Sequence, residues 1–268
     1  MPTSWLTPEA AALDVAGALA AYRAEGFAVL RGAVTADGLA ALRARADDLV
    51  SGRVDPAPFF YQHDSPTGRY EHLPYGEGWV GPSERYRKLE KLERDPVFRA
   101  FLQNDLFRRL AQEVVGERVR LYRAVLMAKG AREADRPGGT PLPWHQDAGT
   151  LWGLNREPEL QLWTALDPAP EEAGCLAVLP KSHLGGLATP LGGMVPSKLV
   201  EAARADERAV LVPAQAGDVV LLHNLVWHAS GTNHTAHPRR AFSVCFLHEA
   251  TRCTRRKRAP REFWEVFG

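Results

Sequence analysis

The chain has 268 residues, of which 45% are apolar and 24% charged, and its formal net charge is +1. That is enough apolar chain for a sizeable core. A charge so close to zero gives no bulk electrostatic case for nucleic acid or a membrane as partner.

The opening MPTSWLTPEA carries no basic segment followed by an apolar one, so no signal peptide is expected, and no apolar run approaches the length of a membrane span. Residues 8–25 are Ala-rich with apolar positions at helical spacing and predict a helix that Gly26 ends. FAVLRGAV (27–34) reads as a strand, and ADGLAALRARADDLVSG (36–52) as a second amphipathic helix. Residues 53–87 are rich in Pro, Gly, Tyr and His without a clear period, and predict a long loop able to cover a site. Residues 95–116 predict a further helix, with Asp95 as N-cap and Gly116 as stop.

Beyond Gly116 the pattern changes to short β-favouring runs at 119–128, 160–167, 175–180, 209–214, 218–224 and 241–249, punctuated by Gly, Pro, Asp and Asn. The expected fold is mainly β with flanking helices. A single domain spans 1–268, with helices in 8–52 and 95–116 packed on a β-barrel of roughly 119–250, because the helices need the outer face of a sheet to bury their apolar stripes. Cys175, Cys245 and Cys253 are odd in number and two of them lie in apolar runs. No disulfide framework is expected, and a reducing cytoplasm is the expected compartment.

The most informative segment is Trp144-His145-Gln146-Asp147. In extended chain, side chains at i and i+2 share a face, so an imidazole and a carboxylate converge. A second imidazole is offered by His228, in VWHASG. Two histidines and one carboxylate leave positions open on a metal, the arrangement of iron(II) oxygenases. The chain has nine histidines, so this pattern needs an independent signal. Arg239 supplies one: it follows His228 by eleven residues, past a Ser-Gly-Thr-Asn turn and a Pro, where a guanidinium can reach inward and fork onto a dicarboxylate. Arg240 then points to the opposite face and reads as a solvated charge. His223 is the rival to His228, and the spacing to Arg239 together with Ser230 favours His228.

The blocks WHQD (144–147), LWTALD (162–167), GCLAVLPKSH (174–183), GDVVLLHNLVWHASGTN (217–233) and RRAFSV (239–244) resemble the phytanoyl-CoA dioxygenase family of iron(II)/2-oxoglutarate oxygenases. The resemblance runs from about residue 18 to about residue 250. It implies a double-stranded β-helix, a cupin-like jelly roll, with His145, Asp147 and His228 as the iron(II) ligands. It implies that Arg239 and Ser230 hold the distal carboxylate of the co-substrate 2-oxoglutarate, that Trp163 lines its pocket, and that Lys88 lies near it. The family's Pro-Gly-Ser-His is here Pro180-Lys181-Ser182-His183, so a local change in that turn is expected, and His183 is read as part of the turn rather than as a ligand.

The activity implied is hydroxylation of a small organic or natural-product-type substrate by O2 and 2-oxoglutarate, with release of succinate and CO2. Asp147 argues against halogenation, since related halogenases lack this carboxylate. Specificity is expected from the 53–87 segment, with Phe59, Phe60, Tyr61, Arg69, Tyr70, His72 and Tyr75, and from 148–158. Arg123 and Arg156 are candidates for binding an anionic group. The basic run Arg252 to Arg258 reads as a solvated tail. A non-catalytic jelly-roll binding protein and a zinc hydrolase with the same His/Asp/His set remain open.

Overall fold

The computed structural model describes residues 1–134, 138–256 and 261–267. The helices begin where short polar side chains satisfy the first free N–H groups. Asp14 caps α1 (Val15–Glu25) by accepting from Gly17 N at 2.8 Å, so the helix expected over 8–25 is a 3-10 turn followed by α1. Gly26, at φ 88°, closes α1 in the left-handed region. Thr35 caps α2 (Ala36–Val50), accepting from Gly38 N. The helix expected over 95–116 is two helices, α3 (Pro96–Leu102) and α4 (Asp105–Val115). Asn104 accepts from Phe107 N at 2.9 Å and starts a new helix there, as Asp95 does for α3.

Twelve strands are found among the described residues: β1 (Phe27–Leu30), β2 (Phe60–His63), β3 (Tyr86–Glu90), β4 (Val119–Lys129), β5 (Leu142–Gln146), β6 (Leu160–Ala165), β7 (Leu176–Leu179), β8 (Gly193–Met194), β9 (Val210–Val212), β10 (Val219–His223), β11 (Trp227–Ser230) and β12 (Arg239–His248). They form a seven-stranded sheet, β1-β10-β6-β12-β4-β3-β2, and a five-stranded sheet, β8-β5-β11-β7-β9. All the strand pairings are antiparallel. The two sheets face each other as a jelly roll. They do not close into the expected barrel: among the described residues no ladder joins them, and each ends on short edge strands.

The register sorts the large sheet into two faces. Leu126, Leu162, Leu221, Phe242, Val244 and Phe246 point outward and bury against the apolar stripes of α1 to α4. Trp163, Ala165, Val220, Leu222 and Ala241 point inward and meet Leu176, Val178 and Val212 of the small sheet. Two short helices, α5 (Ser197–Ala202) and α6 (Ala205–Arg208), lie over the back of the small sheet, where Trp144, Leu179, Val195 and Ala205 cluster. Neither helix was expected from the sequence.

The 53–87 segment departs most from expectation. Phe60–His63 pairs with Tyr86–Glu90, and the pair extends the large sheet beyond β4. Tyr61 is fully buried in the outer core against Tyr86 and Trp79, with ring centroids 4.9 Å away in both cases, so it is structural rather than part of a cover. A four-residue strand has no legible period of its own, and its partner lies more than twenty residues downstream. Among the described residues no helix is long and apolar enough to cross a membrane, and the three cysteines are unpaired.

Candidate metal centre

β5 and β11 lie side by side, with His145 and His228 directly opposite across the ladder. Their rings are 4.0 Å apart, tilted by 47°. Each Nδ1–H donates to the carbonyl two residues back, Pro143 O at 2.9 Å for His145 and Val226 O at 3.0 Å for His228. That fixes the tautomer and leaves the Nε2 lone pairs free for a metal. Burial, followed by the neighbouring His228, pushes His145 down to about 3, so this imidazole is neutral.

Asp147 follows the end of β5. Its backbone is pinned reciprocally to Asn224: Asp147 N donates to Asn224 O and Asn224 Nδ2 to Asp147 O, both at 2.9 Å. Gln146, fully buried, ties the same strand end to Leu225 O and Gly186 O. Asp147 Oδ2 comes 3.7 Å from His228 Nε2. One ligand atom from each of His145, Asp147 and His228 lies within 4.8 Å of the others. Burial opposes ionisation of Asp147, but the Arg123 guanidinium above all, with the Gln161 amide, holds it well below the usual carboxylate range. Two imidazole nitrogens and one carboxylate fit a ferrous ion with open positions.

The large sheet supplies the opposite wall. Arg239, buried, donates from Nη2 to Gly174 O, and its guanidinium carbon lies 5.6 Å from the Trp163 ring centre. Its Nε has no hydrogen-bond partner, and it forms no ion pair among the described residues. Burial lowers its pKa only to about 10, so it remains charged. A buried, charged fork with an unsatisfied N–H fits an anionic co-substrate. Ser230 is buried two residues beyond His228, on the same face of β11.

Lys88 also faces this interior, opposite Met127, but its ammonium is bonded to Glu90. His223 is outside the cluster. It packs against the Tyr22 and His183 rings at 5.8 and 5.0 Å, and burial with His183 pushes it down to about 4. His183 is held in its turn by Arg23 O, and Lys181 adopts φ 66°, the left-handed backbone a glycine would favour.

Three expectations change. Arg123 does not stand free for an anion: its Nη2 donates to Asp147 Oδ1 at 3.1 Å. Arg240 is not a solvated charge: it pairs with Asp167 at 2.7 Å and Asp47 at 2.6 Å, with its side chain only 16% exposed. Its outward direction is as expected. The basic run is partly engaged, Arg252 with Glu249 O and Arg255 with Leu151 O, while Lys257 and Arg258 lie outside the described residues. Arg156 pairs with Glu159 at the surface. Sequence reasoning missed Gln161, which donates to Asp147 Oδ2 at 2.9 Å. It lies two residues before Trp163 on one strand, and that shared face was the signal available.

The family model for phytanoyl-CoA dioxygenase (PhyH) matches residues 22–241. The chain belongs to the phytanoyl-CoA dioxygenase family. Members are non-haem enzymes that use iron(II) and 2-oxoglutarate, and the centre described above has the donors this requires. Phytanoyl-CoA dioxygenase domain-containing protein 1 of Bos taurus is 26% identical over 264 residues, covering 85% of this chain and 88% of its own. Two solved structures share the jelly roll. The epimerase SnoN in complex with Fe3+, alpha ketoglutarate and nogalamycin RO has a TM-score of 0.71 at 20% identity, over 94% of this family member and 95% of SnoN. EctD from S. alaskensis with 2-oxoglutarate and 5-hydroxyectoine has a TM-score of 0.70 at 18% identity, over 98% and 86% of the two chains.

Proposed function

We propose that this member of the phytanoyl-CoA dioxygenase family hydroxylates a small organic, natural-product-type substrate, consuming O2 and 2-oxoglutarate and releasing succinate and CO2. His145, Asp147 and His228 hold iron(II). Arg239 and Ser230 bind the distal carboxylate of 2-oxoglutarate, Trp163 lines its pocket, and Lys88 stands near it as a Glu90-bonded cation. The bound metal supplies the oxidising chemistry. The chain's own part is to hold both imidazoles in orientation, to fix the far end of the co-substrate, and to exclude water. The chain works as a single domain in the cytoplasm, with neither nucleic acid nor membrane as partner, and the loop between β2 and β3 covers the substrate.

The observation that carries this reading is Arg239: a buried guanidinium, without a carboxylate partner among the described residues, on the wall facing the triad. A zinc hydrolase has no use for a dicarboxylate-binding arginine in its interior, and a non-catalytic binding protein has no use for the triad. The test is anaerobic loading with Fe(II), titration with 2-oxoglutarate, and a substrate screen under O2 read by succinate release. Substrate-stimulated succinate formation supports the proposal. Hydrolysis with zinc and no consumption of 2-oxoglutarate overturns it.

A further inference from the structure

Asp147 is held by two side chains that reach it from the opposite sheet. Arg123 and Gln161 lie on neighbours of β12, each in register with Cys245. Arg123 Nη2 donates to Oδ1 at 3.1 Å, and Gln161 Nε2 donates to Oδ2 at 2.9 Å. The two are also joined to each other, since Arg123 Nη2 lies 3.4 Å from Gln161 Oε1. The guanidinium rests 4.6 Å from the Trp152 ring centre, which limits its movement away from the carboxylate. Oδ2 is the oxygen in contact with His228 Nε2, and Arg123 is bonded to the other oxygen, Oδ1.

A carboxylate can grip a metal through one oxygen or both. Gripping through both takes a position that a chelating keto acid or oxygen needs. A charge-assisted hydrogen bond on the second oxygen opposes that change and draws the carboxylate toward the large sheet. We infer that Arg123, braced by Gln161, is a positioning residue that keeps Asp147 bound to the metal through a single oxygen, so that the centre retains its open positions. This rests on the iron reading proposed above.

The test uses the whole protein as wild type, Arg123→Met, Arg123→Lys and Gln161→Leu. Each is titrated with Co(II) by calorimetry and then, without oxygen, with 2-oxoglutarate while the Co(II) d–d absorption is followed. Loss of a side chain that orients a metal ligand weakens metal binding by about 10–100-fold. Arg123→Met is expected to fall in that range and to give a smaller d–d change on adding 2-oxoglutarate. Arg123→Lys, which keeps charge but not the fork, is expected between Arg123→Met and wild type. Gln161→Leu is expected to shift in the same direction by less. If circular dichroism shows Arg123→Met unfolded, Arg123→Lys and Gln161→Leu decide. Affinities and spectra equal to wild type in the folded variants overturn the inference while leaving the iron reading intact. A wild-type protein that takes up neither Co(II) nor 2-oxoglutarate overturns both.

Discussion

Arg239 lies with its guanidinium carbon 5.6 Å from the ring centre of Trp163, inside the fold and with its Nε unsatisfied. Its sequence neighbour Arg240 points the other way, into Asp167 and Asp47. The two arginines therefore predict opposite phenotypes. A buried carboxylate deprived of its partner costs roughly 3–5 kcal/mol. Arg239→Ala should raise the apparent constant for 2-oxoglutarate by about a hundredfold or more, at roughly tenfold per 1.4 kcal/mol. Arg239→Lys should recover part of that. Arg240→Ala should leave 2-oxoglutarate binding unchanged but cost about 1–3 kcal/mol of stability through its buried ion pair. Steady-state titrations and urea melts of the three variants check this, and a larger binding defect in Arg240→Ala would place the strand out of register by one.

Metal content should separate the two rival histidines. His228→Ala should lose the ferrous ion, because its ring is one of three converging ligands. His223→Ala should keep it, since that ring packs between Tyr22 and His183 on the other side of β10. Iron analysis after reconstitution and desalting decides. Retention by His228→Ala together with loss by His223→Ala would defeat the ligand assignment.

The metal site was more legible in the sequence than its supports. His145 and Asp147 are two apart in extended chain, which alone puts them on one face. Arg239 could be assigned inward and Arg240 outward by strand alternation, as found. What the outward arginine meets could not be read, because Asp47 is in α2 and Asp167 follows β6, both far away in sequence. Arg123 pairs with a carboxylate on the opposite sheet, a contact that only sheet-on-sheet packing creates. Asn104 went unread as a cap because the apolar period continues through it. β2 was illegible for a similar reason: its pairing with β3 is long-range, and its four residues carry no period.

Acid should destabilise the metal-free protein partly through His223. Its folded pKa, about 4, lies below the ordinary 6.5. The unfolded chain therefore binds more protons between those values, and stability falls as pH drops from about 6.5 to about 4, by at most about 1.4 kcal/mol per pH unit. Replacing the ring removes this term. The stability difference between wild type and His223→Asn, from urea melts in the presence of a chelator, should shrink as pH falls through that window. A difference that stays constant from pH 7 to pH 4 would show that His223 titrates normally in the folded state.

Gly174 touches both residues proposed to hold the co-substrate's distal carboxylate, through its carbonyl and through the chain next to Ser230. It sits at φ 72°, a region that favours glycine, and an added Cβ would lie 2.4 Å from Gly231 O. Gly231 directly follows Ser230, and the Gly174 carbonyl accepts from Arg239. Gly174→Ala must therefore move backbone rather than a flexible side chain, and the movement reaches both groups assigned to the distal carboxylate. Gly32 provides a control. It has a similar φ of 61°, an added Cβ there would meet nothing within 4 Å, and it lies in the turn after β1, outside the metal centre. Gly32→Ala should show only the left-handed strain, about 1–2 kcal/mol. Gly174→Ala should lose more stability than that and also weaken 2-oxoglutarate binding by at least about tenfold, the equivalent of roughly 1.4 kcal/mol. Thermal melts and 2-oxoglutarate calorimetry on the two variants separate strain from site distortion. If Gly174→Ala binds 2-oxoglutarate as tightly as Gly32→Ala, the Gly174 carbonyl does not position Arg239.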